Sequence, residues 1–274
     1  MLKARLISAA IMVPLVVYGV LYLSTDWFAL ILGTLLVAGL WEWSRLVPLP
    51  ELVGRIIYTG AVAALLVLLW RSGPGQWINV LLPVALGWWV CALFWLSRPA
   101  LFSQATMTST NMKMLAGMLV IIPAWAALVV LHSYESGGPK LTLMLLVMIW
   151  LADSGAYFAG KQWGHTKLAP SISPGKTREG VYGGLLASLL FAAVAGWLYS
   201  HSFKWTLTFM LVSVVAMMFS VVGDLVESLM KRQSGIKDSG NIIPGHGGIF
   251  DRIDSLVAAA PLFLAGFLWL GLEP

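Results

Sequence analysis

Residues 223–255 read GDLVESLMKRQSGIKDSGNIIPGHGGIFDRIDS and hold five of the twelve acidic residues in a chain of 274. The segments on either side of this stretch are apolar. Carboxylates at the edge of a membrane are costly to keep and most often mark a functional site. The stretch therefore predicts a cation- and phosphate-binding site between two helices that cross a membrane.

The composition is typical of a membrane protein. Hydrophobic residues make up 59% of the chain and charged residues only 11%, with fourteen Trp. Several apolar windows reach about 18 residues, the length needed to cross a hydrocarbon core about 30 Å thick. The single cysteine, Cys91, permits no intrachain disulfide, and we expect it to be a small buried side chain. The sequence predicts an all-α polytopic integral membrane protein.

Nine apolar segments are long enough to be transmembrane helices. Trp and Tyr cluster at many of their ends, as interfacial anchors do. The first segment resembles a signal peptide, but it is longer than an ordinary h-region and no small-residue cleavage site follows, so we expect a retained span. The predicted spans cover residues 6–23, 27–43, 55–70, 77–96, 113–131, 141–160, 181–200, 205–230 and 252–272.

The basic residues predict how these spans are oriented. With nine spans and a cytoplasmic N-terminus, fourteen of the seventeen Lys and Arg residues fall on the cytoplasmic side. So uneven a split follows the positive-inside rule and accounts for the net charge of +5. We therefore predict no nucleic-acid partner. The polar loops 161–180 and 231–251 then share the cytoplasmic face.

The polar residues also divide the chain into two parts. Residues 1–132 predict a packing scaffold with little chemistry, because Asp26, Glu42 and Glu51 all fall near span ends. Residues 141–274 predict a catalytic transmembrane domain that includes both cytoplasmic loops. A transporter built from two inverted halves would show matched polar positions in each half, and this chain does not.

Two acidic side chains are predicted inside the membrane at one depth. Asp153 and Asp224 each lie about seven residues before the cytoplasmic end of a span, or roughly 10 Å deep at about 1.5 Å per residue. Asp224, Glu227 and Ser228 share one helix face because they are three and four positions apart. A shared cation site requires such a common depth. For Asp153, the alternative is a structural hydrogen bond to a neighbouring helix.

The loop before the seventh span carries groups that suit a phosphate. Its sequence SPGKT resembles part of a P-loop, but Pro170 stands where that motif needs a glycine and no preceding strand is expected. Hydroxyl and cationic side chains around a glycine still suit phosphate binding. The candidates are Ser173, Lys176, Thr177 and Arg178. The alternative is that the cations report membrane orientation alone.

Asp251 and Asp254 lie three positions apart at the start of the last span and face one way. Mg²⁺ takes oxygen ligands, usually one or two carboxylates with waters and substrate phosphates. We predict Mg²⁺ on Asp153, Asp224, Asp251 and Asp254, with a second cation as an open alternative. Asp251 and Asp254 could instead offset the helix dipole. Zinc is disfavoured because His246, which either binds phosphate or ties its loop, is the one nearby nitrogen ligand.

Residues 228–254, SLMKRQSGIKDSGNIIPGHGGIFDRID, resemble the defining motif of the phosphatidate cytidylyltransferases, also called CDP-diacylglycerol synthases. The segments DSGAYFAGK (153–161) and SISPGKTREGVYGG (171–184) resemble the same family. The N-terminal spans match that family only in being hydrophobic. The resemblance therefore rests on the second half of the chain.

The resemblance implies a membrane enzyme that joins CTP to phosphatidic acid with Mg²⁺, giving CDP-diacylglycerol and pyrophosphate. It also implies a polar funnel open to the cytoplasm and a homodimer in which residues 1–132 serve as scaffold. The composition suits a bacterial inner membrane. The implied catalytic residues are Asp224, Lys237, His246 and Asp251. The implied substrate-binding residues are Ser173, Lys176, Thr177, Arg178, Lys231, Arg232 and Arg252.

Other classes fit parts of the pattern. Another membrane CTP-using phosphotransferase or a polyprenol kinase would need similar metal- and phosphate-binding groups. A cation transporter could use Asp153 and Asp224 as its path, although the Gly-, Pro- and Lys-rich loops have no purpose there. Release of pyrophosphate from CTP distinguishes a phosphatidate cytidylyltransferase from a transporter.

Overall fold

A computed structural model describes residues 2–49, 51–237, 239–240 and 247–272, with side chains from residue 10 onward. His246, a predicted catalytic residue, lies outside the described residues. In the described part the chain forms helices α1 (Leu2–Tyr22), α2 (Thr25–Leu46), α3 (Leu52–Ser72), α4 (Pro74–Ser97), α5 (Met107–His132), α6 (Gly138–Trp163), α7 (Arg178–Ser200), α8 (Phe203–Gln233) and α9 (Phe250–Trp269). Strands β1 (Lys167–Ala169) and β2 (Ser173–Thr177) lie between α6 and α7.

Each predicted span corresponds to one of these helices. Eight of them, α2 to α9, are long and apolar enough to cross a membrane by length and composition. The part of α1 whose side chains are described, Ala10–Tyr22, is a shorter apolar helix. The third span is longer than predicted, since α3 has 21 residues. The prediction of a helical, polytopic integral membrane protein is confirmed.

A β-hairpin is the one departure from an all-α fold among the described residues. Strands β1 and β2 are antiparallel, with Lys167 opposite Thr177 and Ala169 opposite Ser173. The SPGKT sequence is therefore a strand in its own right. A P-loop needs these residues as a turn between a strand and a helix, so the structure agrees with rejecting that motif.

Side-chain caps begin several of the helices. Gly180 donates its N–H to the Thr177 hydroxyl oxygen at 3.1 Å, at the start of α7. The N–H of Trp205 reaches the hydroxyl of Ser202 at 3.4 Å, at the start of α8. Such caps satisfy backbone donors that have no partner within the helix. Both helices thus begin where their sequence provides a capping hydroxyl.

Small residues let the helices of the second half pack closely. On α7 the buried positions are Gly180, Gly184, Ser188, Ala192 and Gly196. Large side chains on the same helix, including Leu186, Leu190 and Val194, are exposed. A Cβ added at Gly183 would meet Ala159 and the backbone of Gly155 on α6. Lipid is as apolar as leucine, so helix pairing in a membrane depends on such close approach.

Helix α5 lies at the centre of the molecule and packs against α2, α4, α6 and α9. Most of its side chains are buried. On α4, which packs along α5, the inward face holds Trp89, Ala92 and Trp95. Cys91 falls between these positions and is exposed, so the prediction that it is buried is wrong. The hydropathy of α4 is high all round and cannot tell its lipid face from its protein face.

Helices α8 and α9 cross closely at the level of the acidic residues. A Cβ added at Gly223 would meet the Asp254 carbonyl and the Ala258 side chain. The absence of a side chain at Gly223 therefore lets the two backbones come together. This crossing brings the carboxylates of α8 next to that of Asp254 on α9.

Candidate active site

Three carboxylates meet where α8 crosses α9. One oxygen from each of Asp224, Glu227 and Asp254 lies within 4.8 Å of the others. Glu227 is 1% exposed and Asp254 is 8% exposed. Carboxyl groups removed from water and placed this close together are either protonated or balanced by cations. The crossing therefore builds a strongly electronegative site.

Two lysines border this acidic cluster (Asp224, Glu227 and Asp254). The Lys176 ammonium lies 2.6 Å from Asp224 Oδ2. Lys231 Nζ lies 3.1 Å from Glu227 Oε2. These lysines come from different segments, Lys176 from β2 and Lys231 from the end of α8. They place two positive charges at the rim of the cluster.

Asp251 is held at the edge of the cluster by donors on both oxygens. Lys231 donates to Oδ1 at 2.6 Å. Oδ2 accepts the N–H of Gly248 at 2.7 Å and that of Ser239 at 3.3 Å. Gly247 has a φ of +81°, and a Cβ there would meet Asp251 Oδ2. The backbone before α9 thus wraps around the Asp251 carboxylate and fixes its direction.

Asp153 faces the cluster from α6. Its side chain is exposed, and it interacts electrostatically with Asp224, Lys176 and Arg252. Asp153 and Asp224 therefore lie close enough to interact. Their common depth in the membrane stays a prediction.

The hairpin positions Lys176 beside Asp224. Arg232 Nε donates to the Ile172 carbonyl at 3.2 Å, which joins the hairpin to α8. The N–H of Thr166 donates to Glu179 Oε1 at 3.1 Å, which joins the entry of the hairpin to α7. Thr177 is 5% exposed and its hydroxyl oxygen caps α7, so the structure gives it a capping role. The assignment of Thr177 to substrate stays a prediction.

Four more predicted residues lie in the segments that form the site. Ser173 is half-buried in β2, Arg178 is exposed at the start of α7, and Lys237 is exposed after α8. Within the described part of the chain, these three side chains make no ion pair or hydrogen bond with the cluster. Arg252 is exposed on α9 and interacts electrostatically with Asp153.

The donor set fits a hard divalent cation. Five carboxylates converge here, and three cationic side chains accompany them. The carboxylates are Asp153, Asp224, Glu227, Asp251 and Asp254, and the cations are Lys176, Lys231 and Arg252. If all are ionised, the acids exceed the cations by two charges. Glu227 Oε1 is buried with no hydrogen-bond partner in the described structure. Oxygen ligands with an unpaired buried member suit Mg²⁺.

Sequence reasoning left two acidic residues out of the candidate site. Glu227 was placed on the face of Asp224 by its spacing, but was not counted as a ligand. Glu42 on α2 is fully buried and accepts the N–H of Phe250 at 2.8 Å. Its position near a span end was the available signal, because a carboxylate there needs a partner.

Comparison with known proteins gives a consistent result over the whole chain. The model of the cytidylyltransferase family matches residues 3–269. The chain is similar to a phosphatidate cytidylyltransferase of Pseudomonas aeruginosa, with 42% identity over 98% of this chain and 97% of the relative. The relative from Haemophilus influenzae, of the same name, shows 36% identity over 96% of this chain and 97% of its own length.

A phosphatidate cytidylyltransferase of Staphylococcus epidermidis shows 33% identity over 94% of each chain. These similarities include the N-terminal spans, which carry no recognisable motif. Family membership therefore does not depend on the 228–254 motif alone. The chain belongs to the cytidylyltransferase family, in its phosphatidate cytidylyltransferase group, and is a nucleotidyltransferase.

Proposed function

We propose that this protein transfers the cytidylyl group of CTP to phosphatidic acid, releasing CDP-diacylglycerol and pyrophosphate in phospholipid biosynthesis. The observation that carries the proposal is the acidic cluster bordered by Lys176 and Lys231. Such a site suits a metal–triphosphate complex more than a bare cation, because the lysines would repel the cation and attract phosphate. The names of the relatives supply the two substrates.

Asp224, Glu227 and Asp254 are the proposed holders of Mg²⁺, with Asp153 and Asp251 close by. When bound, Mg²⁺ would neutralise charge on the triphosphate and orient it. Lys231 already pairs with Glu227 and Asp251, so its position is set before substrate arrives. A second cation, if present, would lie toward Asp153, whose side chain is exposed.

The proposed reaction needs one displacement. A phosphate oxygen of phosphatidic acid attacks the α-phosphorus of CTP, and the bond from that phosphorus to the α–β bridging oxygen breaks. The bond's electron pair leaves with pyrophosphate. Lys176 and Lys231 offset the charge that develops on the transferred and leaving groups. A phosphate monoester is already anionic at neutral pH, so this step requires no general base.

We propose that the site opens to the cytoplasm through a polar funnel and that the N-terminus is cytoplasmic. The charge distribution along the sequence supports this orientation. The hairpin and the end of α8 are in contact through Arg232 and Ile172, so the two polar loops lie at one end of the helices. A bacterial inner membrane gives such a site access to both CTP and lipid. The homodimer with residues 1–132 as scaffold stays a prediction.

Product analysis with α-³²P-labelled CTP, phosphatidic acid and Mg²⁺ tests the proposal. We expect label in CDP-diacylglycerol and an equal amount of pyrophosphate. Asp254→Asn should lose this activity. Asp26→Asn should keep it, because Asp26 is exposed at the start of α2 and lies outside the acidic cluster. A CTP-using kinase would release CDP and leave the lipid without the α-label, and either that result or a lack of any product would contradict the proposal.

A further inference from the structure

A buried carboxylate from the first half of the chain reaches the segment that precedes α9. Glu42 on α2 is 0% exposed. Its Oε2 accepts the N–H of Phe250 at 2.8 Å and the hydroxyl of Ser239 at 3.2 Å. Phe250 is the first residue of α9. Glu42 therefore holds both the start of α9 and the segment before it.

Ser239 links Glu42 to the active-site carboxylate of Asp251. Its hydroxyl donates to Glu42 Oε2, and its backbone N–H donates to Asp251 Oδ2 at 3.3 Å. Asp251 in turn accepts from Lys231 at 2.6 Å. A continuous series of hydrogen bonds thus runs from α2 through Ser239 to Asp251 and Lys231.

Two glycines show how closely the backbone approaches Glu42. A Cβ at Gly240 would meet Glu42 Oε1, and a Cβ at Gly248 would meet Glu42 Oε2 and the Ser239 hydroxyl. Any larger residue at either position would displace the carboxylate or the backbone. Gly240 and Gly248 therefore lie against Glu42 without room for a side chain, and Gly248 also donates its N–H to Asp251.

Fold stability alone does not explain why a carboxylate is buried at position 42. Burying a carboxylate carries a large desolvation cost, and replacing buried charges with apolar groups often leaves stability unchanged or raises it. Glu42 Oε1 has no hydrogen-bond partner in the described structure, so part of this cost is not offset. The Phe250 N–H and the Ser239 hydroxyl need an acceptor, but a neutral amide oxygen would serve them at a lower desolvation cost than a carboxylate.

We infer that Glu42 is a positioning residue for the cytidylyl transfer. It acts through Ser239 and the start of α9 to fix the direction of the Asp251 carboxylate and, with it, Lys231. Residues behind metal-binding or active-site groups typically contribute about 10- to 100-fold in metal affinity or activity. This inference rests on the proposed function and gives a catalytic purpose to a residue of the N-terminal scaffold.

Glu42→Gln tests the inference with the least change in size. We expect kcat to fall about 10- to 100-fold and the KM for CTP to change little, because Asp251 is misdirected while the nucleotide still binds. The affinity for Mn²⁺, titrated by EPR without nucleotide, should weaken in the same range. Glu51→Gln is the matched control, since Glu51 is an exposed glutamate before α3. A purely structural Glu42 would lower thermal stability and leave kcat and Mn²⁺ affinity per folded molecule unchanged, which would overturn the inference.

Ser239→Ala tests the connection with a smaller disruption, in case Glu42→Gln folds poorly. We expect about a 10-fold loss in kcat, and the double variant should be no worse than Glu42→Gln alone because both changes break one connection. Losses that multiply would show independent roles and overturn the inference. If wild-type protein makes no CDP-diacylglycerol, the proposed function fails, and the Mn²⁺ titration still decides whether Glu42 acts on the site.

Discussion

Two polar segments meet at the active site, and they are attached to the helices in different ways. The hairpin segment (residues 164–177) is held by the half-buried Lys176–Asp224 ion pair and the bond from Arg232 to Ile172. The segment before α9 (residues 234–249, described except for 238 and 241–246) is held by buried and part-buried hydrogen bonds to α2. Ser234 donates to the Leu46 carbonyl at 2.8 Å. The Glu42 contacts hold the other end of the same segment.

The contacts that hold the two segments differ in strength, which suits the segments to different roles. A partly solvated ion pair contributes less stability than buried hydrogen bonds to a carboxylate, so the hairpin is held more weakly than the segment before α9. Hydrogen bonds to a buried carboxylate are stronger and costly to break. We therefore propose that the hairpin delivers Lys176 to an incoming phosphate, whereas the segment before α9 fixes the geometry of the carboxylates.

Asp251→Asn, in the helix that follows the segment before α9, should reduce turnover more than any other change. The change removes the charge that pairs with Lys231 and weakens the bonds from Gly248 and Ser239. We expect turnover to fall by more than about 100-fold, the upper range for residues that stand behind a metal site. The measurement is pyrophosphate release, with insertion and folding checked by size-exclusion chromatography in detergent. Near-normal turnover in folded Asp251→Asn protein would refute its place in the site.

Lys176→Ala should produce the largest effect from the hairpin. Hydrogen bonds to charged groups are worth about 1.5–3 kcal/mol, which corresponds to a loss of about tenfold or more. We expect this loss chiefly as a higher KM for CTP, since Lys176 would contact phosphate. Lys167→Ala is the matched control on the same hairpin, where the lysine is exposed. Equal effects of the two changes would mean that Lys176 only sets membrane orientation.

A pair of glycine substitutions compares the packing of the two segments. Gly240→Ala would place a Cβ against Glu42, and overpacking of this kind costs about 1–3 kcal/mol of stability. Gly175→Ala in the hairpin meets nothing within 4 Å. Thermal unfolding in detergent should show a lower Tm for Gly240→Ala and little change for Gly175→Ala. The reverse order would contradict the distinction between the two segments.

Arg232→Ala should have the smallest effect, because it loosens the hairpin without altering the cluster. Loss of the bond to Ile172 should cost about 1 kcal/mol, or about a fivefold rise in local opening. Hydrogen exchange of a peptide covering residues 165–178 measures this directly. Faster exchange should be confined to the hairpin and absent from α9. Unchanged exchange in the hairpin would show that other contacts hold it.

The helices and the acidic face of α8 were predictable from the sequence. All nine segments form helices, because about 18 apolar residues in a row leave a membrane span as the favourable outcome. The position of Asp224 and Glu227 on one face of α8 followed from their spacing of three residues. Local pattern was sufficient in both cases.

The contacts of Glu42 were not predictable in the same way. Glu42 and Phe250 are 208 positions apart, and no periodicity connects them. The hairpin was missed because β1 has only three residues, too few for an alternating pattern. Thr177 was assigned to phosphate because a capping hydroxyl and a ligand hydroxyl look alike in sequence. The Glu42 contacts, the hairpin and the Thr177 cap depend on tertiary packing, which local sequence patterns do not show.

The central claim is that carboxylates of α8 and α9 hold the metal of a cytidylyl transfer. The most direct test is a metal-specificity switch at Asp224, made in a Cys91→Ala background so that one thiol is present. Asp224→Cys should lose turnover with Mg²⁺ and regain part of it with Cd²⁺, because a thiolate is a soft ligand that prefers softer ions. Wild-type and Asp224→Cys protein with the same response to both ions would contradict the claim.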